Sequence, residues 1–287
     1  MSPGRVGRET PAPGYLLSFI REDAPFGDIT SEAIIMDTGS RAIITTREPG
    51  IIAGLEEAGI LFEHFGVCVT RHVADGSEVG SSVVLISLEG PAKGILLVER
   101  TALNIIGRMS GIATLTRRMS TLVTSGAPGC RIAATRKTAP GLRLLDKKAV
   151  RLGGGDPHRM SLSDGILIKD NHLVLVSPET AIRRAREASC YRNVEVEVTT
   201  PGMAVDAARA GADILLLDNM TPELVRETIR LCTAEGVRDR VVIEVSGGVD
   251  EAAVLSYAIP GVDRISAGVL THSVRNFDVT LDIMPGS

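Results

Sequence analysis

The chain has 287 residues, 44% of them hydrophobic and 23% charged, with a formal net charge of −4. This is the composition of an ordinary folded protein, and the length allows one barrel-sized domain or two smaller ones. A mildly acidic balance with only 3% aromatics excludes a general nucleic-acid binder, which needs a broad basic face or stacking rings. No run of about 18 apolar residues is available to span a membrane.

The first stretch, "MSPGRVGRETPAPGY", is rich in Pro and Gly and lacks an apolar h-region, so it reads as a loose leader and not a signal peptide. Helical patterns follow near Tyr15–Asp23 and Leu55–Phe65. Between and after them lie short alternating runs, with Asp75-Gly76 and Gly90-Pro91 as turn signals. The opening third therefore predicts a small α+β domain. From Glu99 to Ser125 the period is helical, with Leu103, Ile106, Met109 and Ala113 on one face, and Gly126 and Pro128 end it.

Six β-rich apolar runs come next: Arg131–Thr135, Gly165–Ile168, Val194–Val198, Asp213–Leu217, Val241–Val245 and Arg264–Ala267. Most are followed by a helical pattern, which predicts βα units with parallel strands. "DILLLD" is almost continuously apolar, as a strand covered on both faces should be. Six units fall short of a closed eight-fold barrel, so the expected architecture is an open, incomplete α/β barrel. The four cysteines are scattered, with no C-x-x-C pair. They are expected to be small buried hydrophobes in a reduced, cytoplasmic setting.

In parallel α/β folds, the loops after the strands form the active-site face. Here those positions carry, in order, Arg136-Lys137-Thr138, then Lys169 to His172, Glu197, Asp218, Ser246-Gly247-Gly248 and Ala267-Gly268. On "VEVEVTT" the side chains alternate, so Glu195, Glu197 and Thr199 share a face. Buried carboxylates need compensation. It is either structural, from nearby Arg or Lys, or functional, from Mg²⁺ held by Glu197 and Asp218. Glu197 is nearer the strand's C-terminal end and is preferred over Glu195. The "SGG" and "SAG" turns can aim backbone N–H groups at a phosphate.

Between Arg131 and His172 the chain gathers nine Lys and Arg against four acids. A helix is expected from Pro140 to the triple glycine at 153–155, with Leu142, Leu145, Ala149 and Leu152 as its apolar stripe and Arg143, Lys147 and Arg151 forming one solvated stripe. Arg136, Lys137, His158, Arg159 and Lys169 flank it at the strand ends, and guanidinium forks suit carboxylates. Several such groups at one mouth imply a small ligand with several negative charges. His64 and His72 lie in the first domain and read as incidental. His158, His172 and His272 are rim residues open to either ligand contact or structural hydrogen bonding.

With these residues assembled, the chain resembles the quinolinate phosphoribosyltransferases along nearly its whole length. The likeness is carried by "EDAPFGDIT", "ERTALNIIGRMSGIAT", "TRKTAPGLR", "GGGDPHR", "LIKDNH", "VEVEV", "LLLDNM", "SGG" and "SAGVLTHS". The resemblance implies an N-terminal α/β sandwich domain (1–108 with 274–287), an open α/β barrel (109–273) and a homodimer. It implies transfer of phosphoribose from phosphoribosyl pyrophosphate to quinolinate with loss of CO2, giving nicotinate mononucleotide for NAD synthesis, with Mg²⁺. By that likeness Arg100, Arg136, Lys137, His158, Arg159 and Lys169 bind the pyridine dicarboxylate, with Lys137 also catalytic and Thr138 a further substrate-binding residue. Glu197 and Asp218 hold the ribose hydroxyls and the metal. Ser246, Gly247, Gly248 and Gly268 cradle the 5′-phosphate, Ala267 and His272 are further substrate-binding residues, and Arg100 reaches a neighbouring subunit. Rival readings are the related phosphoribosyltransferase of molybdate-transport operons, nicotinate phosphoribosyltransferase, and a non-catalytic anion sensor. The intact "TRKT", "KDNH", Glu197 and Asp218 weigh against the first and last, and a monocarboxylate needs fewer cations than are present.

Overall fold

The computed structural model describes residues 11–284, so most of the expected leader lies outside the described residues. The chain divides into two compact units. One holds the described residues up to Thr114, Pro140–Gly153 and the stretch from Val274. The other holds Leu115–Ala139 and Gly154–Ser273. Among the described residues, no helix is long and apolar enough to cross a membrane.

Helix α1 (Pro13–Asp23) begins on a proline and buries Leu16 and Ile20, one turn apart. Helix α2 (Ile29–Ile34) is capped by Asp28, which accepts from the amides of Thr30 and Ser31 at 3.0 and 3.2 Å. Strands β1 (Gly39–Thr46) and β2 (Gly50–Ile51) precede helix α3 (Leu55–His64). Then come β3 (Cys68–Arg71), β4 (Glu78–Val79), β5 (Val84–Pro91) and α4 (Ala92–Gly126). Strand β1 alternates cleanly, burying Ala42, Ile44 and Thr46. Helix α4 starts seven residues earlier than Glu99, and it buries Leu103, Ile106, Met109 and Ala113 as expected. Gly90-Pro91 is not a turn: both residues finish β5. A side chain on Gly90 would place its Cβ 2.8 Å from the Val67 Cα, so glycine is needed there for close strand packing.

Strands β6 (Arg131–Ala134), β7 (Ile166–Ile168), β8 (Val194–Val198), β9 (Ile214–Asp218), β10 (Val242–Ser246) and β11 (Arg264–Ala267) form one parallel sheet in the order β6-β11-β10-β9-β8-β7. Each lies within a residue of its expected limits. The first of these six strands thus pairs with the last, and only β6 and β7, consecutive in sequence, leave a gap. This is the open α/β barrel. The short helix α6 (Asp170–Leu173) follows β7, and helices α7 (Pro178–Ala188), α8 (Pro201–Ala210) and α9 (Pro222–Ala234) each open on a Ser/Thr-Pro dipeptide. The hydroxyls of Ser177, Thr200 and Thr221 cap an amide while the proline occupies N1, where no N–H is missed. The last strand, β12 (Val279–Met284), joins the first unit's antiparallel sheet in the order β12-β1-β5-β3. No local pattern marks that strand, although the resemblance groups 274–287 with the first domain.

The segment between β6 and β7 departs from the βα pattern. Its helix, α5 (Arg143–Leu152), belongs to the first unit, a boundary that differs from the 108/109 split. Pro140 precedes the helix instead of opening it, and Gly141 turns the chain at φ +83°. The expected solvated stripe is also corrected. Lys147 is 0% exposed, and Arg143 and Arg151 are half-buried. The apolar stripe alone marked Lys147's face as outward, but α5 is packed on more than one side. Its buried charges are matched: Asp146 accepts both Arg108 Nε and Nη2, at 2.8 and 2.9 Å, and Lys148 reaches Glu57 at 2.6 Å. Removing one partner of such a pair leaves a buried charge uncompensated. Asp146→Ala should therefore lower unfolding free energy by about 3–5 kcal/mol in a denaturant titration. A loss below about 1 kcal/mol would show the pair behaving as a surface bridge.

The cysteine expectation holds in part. All four thiols are free, Cys130 and Cys232 are buried, and Cys68 and Cys190 are exposed. Burial pushes the Cys130 thiol up to about 11, as an inert core residue should have it.

Candidate active site

The C-terminal ends of the parallel strands surround a cavity of about 510 Å³. The β6 loop contributes Thr135, Arg136 and Lys137, and the stretch after the triple glycine contributes His158 and Arg159. Lys169 and Asp170 follow β7, Glu195 and Glu197 come from β8, and Asp218 and Asn219 end β9. Glu244 and Ser246 to Gly248 come from β10 and its turn. Ten of the residues singled out from sequence line this one cavity: Arg136, Lys137, His158, Arg159, Lys169, Glu197, Asp218, Ser246, Gly247 and Gly248.

Thr138, Ala267, Gly268 and His272 are not among its lining residues. Thr138 belongs to the Lys137 loop, and Gly268 lies against the Lys137 side chain. Thr271 Oγ1 donates to the Lys137 carbonyl at 2.9 Å, and the amide of Thr138 bonds to Arg136 O. A Cβ on Gly268 would fall 2.8 Å from the His272 ring and 3.2 Å from Lys137 Cδ. Gly268 therefore lets those two side chains approach its backbone. Arg100 lies in the first unit, exposed on α4. His172 resolves to a structural role: its Nδ1 accepts the Lys169 amide at 2.9 Å and steadies the turn that presents Lys169.

Cations and carboxylates meet inside the cavity. Lys169 Nζ meets Glu197 Oε2 at 2.6 Å, and Glu197 is only 8% exposed. Burial pulls the Arg159 guanidinium down from its usual range, against the pull of Glu195 and with the push of Arg136. On the acidic side, burial and then the charge of Glu197 push the Asp218 carboxyl up. Asn219 Nδ2 donates to Asp218 Oδ2 at 2.6 Å. Burial, followed by the charge of Glu244, raises Glu195 to about 7. Its Oε1 has no hydrogen-bond partner among the described residues.

The glycine turn after β10 has a steric cause. Gly247 sits at φ +99°, and a Cβ there would fall 2.3 Å from Asn219 Oδ1. Asn219 takes a left-handed φ of +53° and donates its amide to Ser246 O at 2.9 Å, so the two loops lock together. Two carboxyl groups suit a hard cation: Glu197 and Asp218, on adjacent strands with a raised Asp218, form an oxygen donor set of the kind Mg²⁺ takes. A separate trio, His158, Glu195 and Glu244, brings its donor atoms within 4.8 Å of one another.

Glu244 and Asn219 are the lining residues that sequence reasoning passed over. Glu244 lies two positions before Ser246 on one strand, so alternation puts both on the same face.

Comparison with known proteins bears on this geometry. Residues 28–110 match the quinolinate phosphoribosyl transferase N-terminal domain, and residues 112–282 match its C-terminal domain. A probable carboxylating nicotinate-nucleotide pyrophosphorylase of Methanothermobacter thermautotrophicus is 47% identical over 268 residues, covering 92% of this chain and 96% of that protein. The human carboxylating nicotinate-nucleotide pyrophosphorylase is 34% identical, covering 93% of this chain and 89% of its own. The crystal structure of the Ehrlichia chaffeensis nicotinate-nucleotide pyrophosphorylase has a TM-score of 0.88 at 34% identity, covering 98% of this chain and 100% of that one. Fold, cavity and relatives define a pentosyltransferase enzyme. The chain belongs to the quinolinate phosphoribosyltransferase family.

Proposed function

We propose that the chain transfers phosphoribose from phosphoribosyl pyrophosphate to quinolinate with decarboxylation, giving nicotinate mononucleotide, pyrophosphate and CO2 in de novo NAD biosynthesis. One observation carries the reading. Arg136, Arg159 and Lys169 share a single cavity with Glu197, Asp218 and the Gly247-Gly248 turn. A dianionic ring and a polyanionic sugar need the cations, and the sugar's reacting carbon needs the carboxylates.

Arg136, Arg159, Lys169 and His158 hold the two ring carboxylates and aim the ring nitrogen at the anomeric carbon. As the C–N bond forms and the C–O bond to pyrophosphate breaks, positive charge grows on the ribose. Glu197 and Asp218 stabilise it electrostatically. Lys137 lies on the same rim and neutralises the departing pyrophosphate. Loss of CO2 from C2 leaves an electron pair beside the now quaternary nitrogen, which stabilises it until a proton arrives. Glu197 and Asp218 would hold Mg²⁺, which supplies charge neutralisation for the pyrophosphate and ribose oxygens. We further propose a homodimer in which the exposed Arg100 completes the cavity of a second copy of the chain. A reducing cytoplasmic setting suits four unpaired thiols.

The test is direct. The purified protein is incubated with phosphoribosyl pyrophosphate, Mg²⁺ and either quinolinate or nicotinate, and CO2 and mononucleotide are followed. Product from quinolinate alone is expected, and product from nicotinate alone would overturn the assignment. Arg159→Ala should weaken quinolinate by roughly ten- to a hundredfold, the loss of one charge-assisted contact, and phosphoribosyl pyrophosphate little. Equal weakening of both would make the cluster a general anion funnel.

A further inference from the structure

We infer that Glu244 is a positioning residue for His158, the anchor of a buried brace that fixes this ring for the dicarboxylate. The inference rests on the proposed reading in one respect, that His158 contacts the substrate.

The brace is a closed circuit. His158 Nε2 lies 3.2 Å from Glu244 Oε2. The same Glu244 oxygen is 4.0 Å from Arg264 Nη1, and Arg264 Nη2 donates to Asp156 Oδ2 at 2.7 Å. Asp156 Oδ1 then accepts the backbone amide of His158 at 2.7 Å. Glu244 and Arg264 are register partners on β10 and β11. Asp156 is tied to the free edge of β6, donating to Ile132 O at 2.8 Å and accepting from the Ala134 amide at 2.9 Å. His158 is thus fastened at both backbone and ring to three strands of the sheet.

Two further facts favour positioning over simple fold support. His158 has a left-handed φ of +55°, a conformation that a non-glycine residue holds only when its surroundings impose it. Glu244 is 2% exposed by its side chain, yet it lines the cavity. An ionised carboxylate only accepts, so the bond places a hydrogen on Nε2, and only the doubly protonated ring, with a second hydrogen on Nδ1, can also donate to a substrate carboxylate.

The experiment compares Glu244→Ala with Glu244→Gln, whose amide oxygen can still accept from Nε2. In Glu244→Ala, KM for quinolinate should rise about tenfold or more while KM for phosphoribosyl pyrophosphate stays within about twofold. Glu244→Gln should return the quinolinate KM to within about threefold of wild type. In parallel, imidazole ¹⁵N spectra at a pH where the ring is neutral should show one Nε2–H tautomer for His158 in wild type and Glu244→Gln, and a mixture in Glu244→Ala. Equal losses for both substrates, a Gln variant as impaired as Ala, or an unchanged tautomer in Glu244→Ala would each overturn the inference. Should Glu244→Ala not fold, a folded Glu244→Gln with a mixed tautomer overturns it equally. The spectra need no turnover. A wild type that ignores quinolinate would therefore sink the proposed function and leave the brace to be judged on the tautomer.

Discussion

Glu197→Ala and Asp218→Ala should each cut turnover by about a hundred- to a thousandfold, while quinolinate binding stays measurable by calorimetry. That range is typical of removing one group that stabilises transition-state charge. The two carboxyl groups are not equivalent before reaction. Glu197 is held by Lys169 at 2.6 Å, whereas Asp218 is pushed up by burial and by its neighbour's charge. Removing Glu197 also releases Lys169, a cation assigned to the dicarboxylate. Quinolinate affinity should then stay level or tighten even as kcat collapses. Near-normal turnover in both variants would move the sugar-and-metal end elsewhere.

Arg100→Ala and Lys169→Ala homodimers should each be nearly inactive, and mixing them under subunit exchange should restore roughly a quarter of wild-type activity. Arg100 is exposed on α4 in one unit, and Lys169 lines the cavity of the other. If Arg100 serves a second copy's cavity, a mixed dimer collects both lesions in one site and neither in the other. Random pairing makes about half the dimers mixed, each with one sound site. Exchange verified by mass with no recovery would place Arg100's action within its own chain or nowhere.

The parallel strands were legible because covered strands read as short apolar runs, and the groups that follow them were legible because loop position maps to the rim. Arg136 and Lys137, the carboxylates Glu197 and Asp218 and the Ser246 turn all lie where that logic puts them. Three things escaped it. Lys147 looked solvated because helical periodicity assigns faces only relative to one apolar stripe, and α5 is buried beyond it. Glu244 was passed over because an acid inside "VIEVS" reads as a lone polar interruption until its neighbours on β11 and its contact with His158 are known. Strand β12 has a partner, β1, more than two hundred positions away, and no local pattern reports that pairing. The Ser/Thr-Pro openings of α7, α8 and α9 were readable helix starts that the strand-first reading did not use.

The two family domains meet near residue 111, which suggests a natural place to cut, but the compact units trade segments across that line. An N-terminal fragment ending there would lack α5, leaving Arg108 without Asp146. It would also lack β12, leaving the ladder edge of β1 bare. A bare edge of that kind invites pairing between chains. On the ribosome the same condition is temporary but unavoidable. Strands β1, β3 and β5 emerge early, and the sheet's fourth strand, β12, follows only after all six strands of the parallel sheet have been made. The first unit cannot finish folding before the second has been synthesised, so folding one domain at a time in N-to-C order is closed to this chain.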